Sequence, residues 1–263
     1  MTKAEEKGRE TLKIAISGKG GVGKTTIAAM LARAFSDEGA KVFTIDADPD
    51  ANLANALGFS EEQEITPLAE MKELIKERVG AEPGKSTVYF TMNPKVDDIP
   101  DRFSVEKDGI KHMVMGTVRR GGGGCVCPEN VMVKQLLSHL LVARDEIVII
   151  DMEAGIEHLG RGTAQFVDLL LVVVEATTSS LQTFDRIKKL AGDLNIKQIA
   201  VIANKVRKPE DLERIISETG AEVLSAVPYD ETLLDYRGFS INGETKEEIY
   251  KVKNKLEQEL THG

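Results

Sequence analysis

The densest chemistry in the chain lies in Gly18-Lys19-Gly20-Gly21-Val22-Gly23-Lys24-Thr25. The stretch follows an apolar run and opens an amphipathic one. Its G-x-x-x-x-G-K-[ST] spacing suits backbone N–H groups that cradle phosphates at a helix N-terminus. In such a loop Lys24 reaches the β- and γ-phosphates, the Thr25 hydroxyl holds Mg²⁺, and Thr26 completes the nucleotide-binding set. The same residues also spell G-x-G-x-x-G through Gly18, Gly20 and Gly23, with Asp46 following about two dozen residues on, as a dinucleotide site would have it. Lys24 and Thr25 directly after the last glycine favour the triphosphate instead, as does a second apolar run ending in an acid, Ile147–Asp151. Asp151 would orient a Mg²⁺-bound water, and Gly155 would offer its N–H to the γ-phosphate. Asp151-Met152-Glu153-Ala154-Gly155 then reads as a nucleotide-sensing segment.

Cys125 and Cys127 are the only two cysteines of the 263 residues. Gly121-Gly122-Gly123-Gly124 before them and Pro128 after them permit a turn that brings two thiolates to one ion. A closed tetrahedral Zn²⁺ site or a square-planar Ni²⁺ site needs four donors. One chain supplies half of these, so the simplest closed site takes Cys125 and Cys127 from each of two chains on a two-fold axis. A buried structural pair and a redox couple are the competing readings. His112, His139, His158 and His262 are scattered, and only His158 lies near the sensing segment.

Base choice is written at Asn204-Lys205-Val206-Arg207. Guanine recognition by an N-K-x-D loop needs a carboxylate to accept from guanine N1 and N2, whereas Arg207 only donates. Adenine is therefore favoured, with Asn204 donating and accepting at its N6/N7 edge.

These residues need a scaffold, and the pattern supplies one. Short β-branched runs at 12–17, 42–46, 112–116, 147–151, 169–175, 198–204 and 222–227 alternate with helical periodicity at 24–37, 67–79, 128–143, 180–194, 209–219 and 245–260. Alternation of this kind predicts an α/β fold, a mostly parallel central sheet flanked by helices on both faces. The unalternated runs at 147–150 and 169–174 suit central strands covered on both sides. A single P-loop NTPase domain over 12–263 is expected, preceded by a polar extension at 1–11 and interrupted by an irregular insertion at about 81–109, rich in Pro and Asp. The helix at 245–260 repeats Ile249, Val252, Leu256 and Leu260 on one face and mixes charges on the other, so it should dock on the domain rather than on a membrane.

Composition narrows the partners. With 34 Lys+Arg against 43 Asp+Glu the formal charge is −9, unlike a nucleic-acid binder. No apolar run reaches the ~18 residues of a membrane span. The first ten residues lack the apolar core of a signal peptide, so a cytoplasmic protein is expected.

Lys19-Gly20-Gly21-Val22-Gly23-Lys24-Thr25-Thr26 resembles the deviant Walker A group, which contains the nitrogenase iron protein, the septum-site and partition ATPases and metal-insertion ATPases. The resemblance implies that Lys19 reaches across a dimer to the partner's phosphates, so ATP drives homodimer formation. It makes Lys19, Lys24, Asp48 and Asp151 the catalytic set. Ile45-Asp46-Ala47-Asp48-Pro49-Asp50 looks like the group's switch I, with Asp48 positioning the attacking water. Val227-Pro228-Tyr229-Asp230 looks like its adenine-side loop, with Pro228 and Asp230 near the base.

Two further stretches, Gly124-Cys125-Val126-Cys127-Pro128-Glu129-Asn130 and 151–162, resemble the CooC-type nickel-insertion ATPases of carbon monoxide dehydrogenase maturation, and the likeness runs from Leu12 onward. It implies ATP, Mg²⁺ and Ni²⁺ (or Zn²⁺) as ligands. The client would be apo carbon monoxide dehydrogenase or its associated acetyl-CoA synthase. The alternative is an ATP-gated electron donor with a [4Fe–4S] cluster bridging the dimer, as in the nitrogenase iron protein. That resemblance, however, implies two cysteines well apart in sequence, which this chain lacks.

Overall fold

The computed structural model describes residues 11–60, 63, 65–81, 91–116, 128–156, 159, 161–233, 236 and 243–262. Its strands are β1 (Lys13–Gly18), β2 (Val42–Asp46), β3 (Val105–Lys107), β4 (Ile110–Val114), β5 (Ile147–Asp151), β6 (Leu169–Val174), β7 (Ile199–Val206) and β8 (Glu222–Pro228). They form one sheet in the order β3-β4-β2-β5-β1-β6-β7-β8. All neighbours are parallel except β3 and β4.

Successive side chains of a strand point to opposite faces, and the unalternated runs divide accordingly. Val148, Ile150, Leu170 and Val172 enter one core cluster. Ile147, Ile149, Leu169 and Leu171 enter the other. The first cluster is closed by α3 (Lys72–Val79), α4 (Ile99–Phe103), α5 (Pro128–Ala143), α6 (Arg161–Ala164), α7 (Thr178–Asp193) and α8 (Pro209–Thr219). The second is closed by α1 (Lys24–Asp37), α2 (Leu53–Ala56) and α9 (Gly243–His262). The expected sheet with helices on both faces is therefore present. Ile249, Val252 and Leu256 of α9 are buried in the second cluster, so that helix docks on the body. No helix among the described residues is long and apolar enough to cross a membrane.

Two elements depart from the local pattern. The helix expected over 67–79 breaks at Met71 into a 3-10 turn, Leu68–Glu70, and α3. Met71 has ψ 68°, outside the helical range, and its N–H donates to the Leu68 carbonyl three residues back at 3.1 Å. Met115 accepts from the Ala69 N–H at 3.0 Å, and Gly116, at φ 76°, packs so closely that a Cβ there would meet Pro67 Cβ at 2.7 Å. The stretch expected to be irregular at about 81–109 carries α4 and β3 within its described part, 81 and 91–109. β3 pairs antiparallel with β4 through a turn in which Asp108 and Gly109 have φ 50° and 75°. Of the N-terminal extension expected at 1–11, residues 1–10 lie outside the described residues.

Candidate functional site

Strands β1, β2, β5, β6 and β7 deliver their C-terminal ends to one edge of the sheet, where open α/β sheets place ligands. β1 ends at Gly18, and the loop to α1 returns over that edge. Two of its glycines are required by packing. A Cβ on Gly18 would lie 2.6 Å from the Val173 carbonyl oxygen of β6. Gly23 has φ 93°, and a Cβ there would lie 2.5 Å from Asn204 Nδ2. Asn204, buried near the end of β7, donates that amide to the Val22 carbonyl at 2.7 Å. Lys205 follows in a left-handed conformation, φ 57°, at an irregularity of the β7–β8 pairing, and its ammonium donates to the Gly21 carbonyl. Lys205 also lies 3.5 Å from Glu175. In a planar trans peptide the C=O and the next N–H point in opposite directions. Gripping the Val22 carbonyl thus turns the Gly23 N–H away from Asn204, as a phosphate-cradling loop requires.

Acids surround the loop's lysine. Asp46 and Asp151 stand opposite one another in the register of β2 and β5. Lys24 Nζ is 2.7 Å from Asp48 Oδ2, with both side chains close to nine-tenths buried. Burial works against the Lys24 charge, but the Asp48 hydrogen bond and the nearby Asp151 and Asp46 hold its pKa above the ordinary lysine value. Burial lifts the Asp151 carboxyl to about 7, with Thr25 and Lys24 holding it down and Asp46 and Asp48 pushing it further up. Burial likewise lifts Asp46 to about 6, against two backbone N–H groups that favour its charge. Those donors are Asp48, to Oδ1 at 3.0 Å, and Leu53, to Oδ2 at 2.8 Å. Asp46 therefore winds the segment 47–52 and caps α2.

Both carboxylate oxygens of Asp151 are buried and, among the described residues, meet no hydrogen-bond donor within ordinary bonding geometry. An acceptor pair of this kind, with the Thr25 hydroxyl acting on it and a surplus of carboxylates around one lysine, fits a hydrated divalent cation. Thr25 and Asp151 would hold Mg²⁺ here, and its chemistry would be to neutralise charge on the phosphates. Ser17 Oγ donates to the Glu153 carbonyl at 2.7 Å, tying the sensing segment that includes Gly155 to the root of the loop. Lys19 is half-buried at the loop's entrance and makes no ion pair with a described residue.

Behind the loop, Gly23, Thr26, Met30, Asn204, Pro228 and Asp230 line a crevice. The residues expected around the base thus meet in one place. Within it, Asp230 Oδ1 accepts from the Thr232 hydroxyl and N–H at 2.6 and 2.9 Å. The Arg207 guanidinium lies 3.5 Å over the Tyr229 ring, which closes one wall of an adjoining cleft. Cys125 and Cys127, with the glycines before them and His158, lie outside the described residues. His112, by contrast, is fully buried, with Nδ1 2.9 Å from Thr44 Oγ1, and belongs to the core.

Sequence reasoning missed three supports: Lys205 on the loop, Ser17 under the sensing segment, and Asp46 as a cap. For Asp46 a signal existed, since an Asp at a strand end followed two residues later by a second Asp is the pattern of a side chain closing a turn on its own backbone.

Comparison with known proteins agrees with this geometry. Residues 13–239 match the family model described as the CobQ/CobB/MinD/ParA nucleotide binding domain. The chain is 52% identical over 225 residues to the carbon monoxide dehydrogenase accessory protein CooC of Rhodospirillum rubrum, covering 84% of this chain and 85% of that protein. It is 50% identical over 250 residues to an uncharacterized ATP-binding protein of Methanocaldococcus jannaschii, covering 92% and 96%. In fold it resembles the MinD cell division protein of Aquifex aeolicus, with TM-score 0.67, 23% identity, and coverage of 94% of this chain and 98% of that one.

Proposed function

The chain belongs to the CobQ/CobB/MinD/ParA nucleotide-binding family and is an ATPase of that family; from that premise we propose that it is a nickel-insertion metallochaperone for carbon monoxide dehydrogenase, or for the associated acetyl-CoA synthase. The observation that carries the reading is the similarity to CooC over most of both chains. The Cys125-Val126-Cys127 pair supports it chemically, since thiolates are the ligands that a soft metal cargo prefers.

The residues divide the work. The N–H groups from Gly21 to Thr25 and the Lys24 ammonium bind the phosphates, and Thr25 and Asp151 orient the hydrated cation. Asp48 aligns the attacking water. Lys19 of a second copy supplies a further cation to the charge developing on the transferred phosphoryl group, an effect worth roughly 10³-fold in rate. Nickel is the cargo, held by Cys125 and Cys127 of the two copies. Hydrolysis removes the γ-phosphate that orders Asp48 and the segment 151–155, and α6 and α5 carry that change to the cysteines. A coupling of about 1–3 kcal/mol between nucleotide and metal suffices.

Equilibrium dialysis with Ni²⁺ tests the reading. One metal per dimer is expected, lost in Cys125→Ser. One metal per monomer retained in that variant would overturn the shared site.

A further inference from the structure

The segment between β2 and α2 is attached to the phosphate loop by one ion pair. Lys24 Nζ meets Asp48 Oδ2 at 2.7 Å. The other carboxylate oxygen, Oδ1, accepts from the Asp50 N–H at 3.1 Å, and the Asp48 carbonyl accepts from the Ala51 N–H at 3.1 Å. Asp48 is thus the hub of the segment as well as its clasp. Ala51 sits at φ 29°, a left-handed conformation disfavoured for a side chain with a Cβ, so the wound form holds local strain. Pro49 and Asp50 are exposed, and among the described residues Asp50 makes no ion pair. Among the described residues, no other side-chain hydrogen bond or ion pair joins 47–51 to the loop.

Lys24 is also the cation that a bound polyphosphate needs. A carboxylate in contact with it brings negative charge to where the phosphates must come, and like charges in a buried site repel strongly. We propose that the Lys24–Asp48 pair is an autoinhibitory latch: in the unliganded chain Asp48 occupies the phosphate-binding lysine and holds the segment 47–52 wound, and a nucleoside polyphosphate displaces it. This rests on the nucleotide-binding reading of the loop and adds to it. Asp48 is unavailable to align water until phosphates have taken Lys24, so an empty site cannot be set for hydrolysis, and release of 47–52 signals occupancy.

ADP binding in Mg²⁺-free buffer, measured by calorimetry, tests the latch without any turnover. Asp48→Asn removes the competitor and should bind ADP roughly tenfold tighter than wild type. Asp50→Asn removes the same charge from the same segment without touching Lys24, and should bind within about twofold of wild type. The chain has no tryptophan, so Pro49→Trp gives a single reporter on the segment. Its fluorescence anisotropy should fall when ADP is added, and should already be low in the Pro49→Trp, Asp48→Asn double variant. Equal ADP affinity in the Asp48→Asn and Asp50→Asn variants, or anisotropy unchanged by ADP in Pro49→Trp, would overturn the latch. Failure of wild type to bind ADP would count instead against the nucleotide reading, and the anisotropy of the two unliganded proteins would still judge the contact.

Discussion

The side-chain amide of Asn204 reaches the carbonyl of Val22 at 2.7 Å, joining the end of β7 to the phosphate loop across 182 residues of chain. The bond decides which way the loop's peptide faces, and with Lys205 on Gly21 it makes β7 the loop's rear support. A residue expected to read the base also builds the phosphate cradle.

Asn204→Ala should therefore weaken binding of pyrophosphate, which has no base, in parallel with ADP, each by roughly tenfold. It should also lower stability by about 1–3 kcal/mol, because the buried Val22 carbonyl loses its donor. Calorimetric titration with both ligands separates the roles. Loss of ADP affinity with pyrophosphate affinity intact would leave Asn204 a base reader only.

Gly23→Ala and Gly20→Ala should differ sharply. At Gly23 a methyl group would lie 2.5 Å from Asn204 Nδ2 on a backbone at φ 93°, whereas at Gly20 it would meet nothing within 4 Å. The first variant should lose about 1–3 kcal/mol and nearly all ATP binding. The second should melt within ~0.5 kcal/mol of wild type. Thermal unfolding of the two side by side checks the contrast.

Asp151→Asn should stabilise the unliganded protein at alkaline pH while abolishing Mg²⁺-dependent hydrolysis. A carboxyl raised by burial contributes its stability while protonated. For Asp151 that contribution is complete below the ordinary aspartate value and is lost as pH rises through about 7. Asp46 behaves likewise through about 6. His112, pushed down to about 3 by burial, acts in the opposite sense: its contribution is present above the ordinary histidine value and is lost as pH falls toward 3. The opposed groups offset one another between about pH 4 and 6.5, so the variant must be compared with wild type at each pH. The difference in melting temperature should be small below pH 5 and reach roughly 5–10 °C at pH 8. A difference that does not change with pH would remove Asp151 from this account.

Lys19→Ala should leave stability unchanged, since Lys19 makes no ion pair with a described residue. It should still bind ATP, yet fail to dimerise with it and turn over roughly 10³-fold more slowly. Light scattering with and without MgATP, run beside a hydrolysis assay, gives the answer. An ATP-dependent dimer in the variant would remove Lys19 from the interface.

Much of the scaffold was legible because its signals are local. The helix at 24–37 and the strands at 42–46 and 147–151 occur at the expected residues, where a glycine or an acid ends an apolar run. The break at Met71 and the β3–β4 hairpin were not legible. One is a non-helical backbone at Met71, beside contacts with Met115 and Gly116 from far along the chain, and the other is pairing between strands whose own sequences are short and mixed.

The same division runs through the site. Residue types and spacing by themselves determined a phosphate loop and an acid at the end of a central strand, because each is a short covalent pattern at the end of an apolar run. Only the tertiary structure decided that Lys24 is held by Asp48, that Asp46 and Asp151 face each other across two strands, and that Asn204 and Lys205 grip the loop from behind. The physical reason is sheet register. Parallel strands far apart in sequence place their ends within hydrogen-bond reach, and the burial that follows sets which carboxylates are charged and which lysine is engaged.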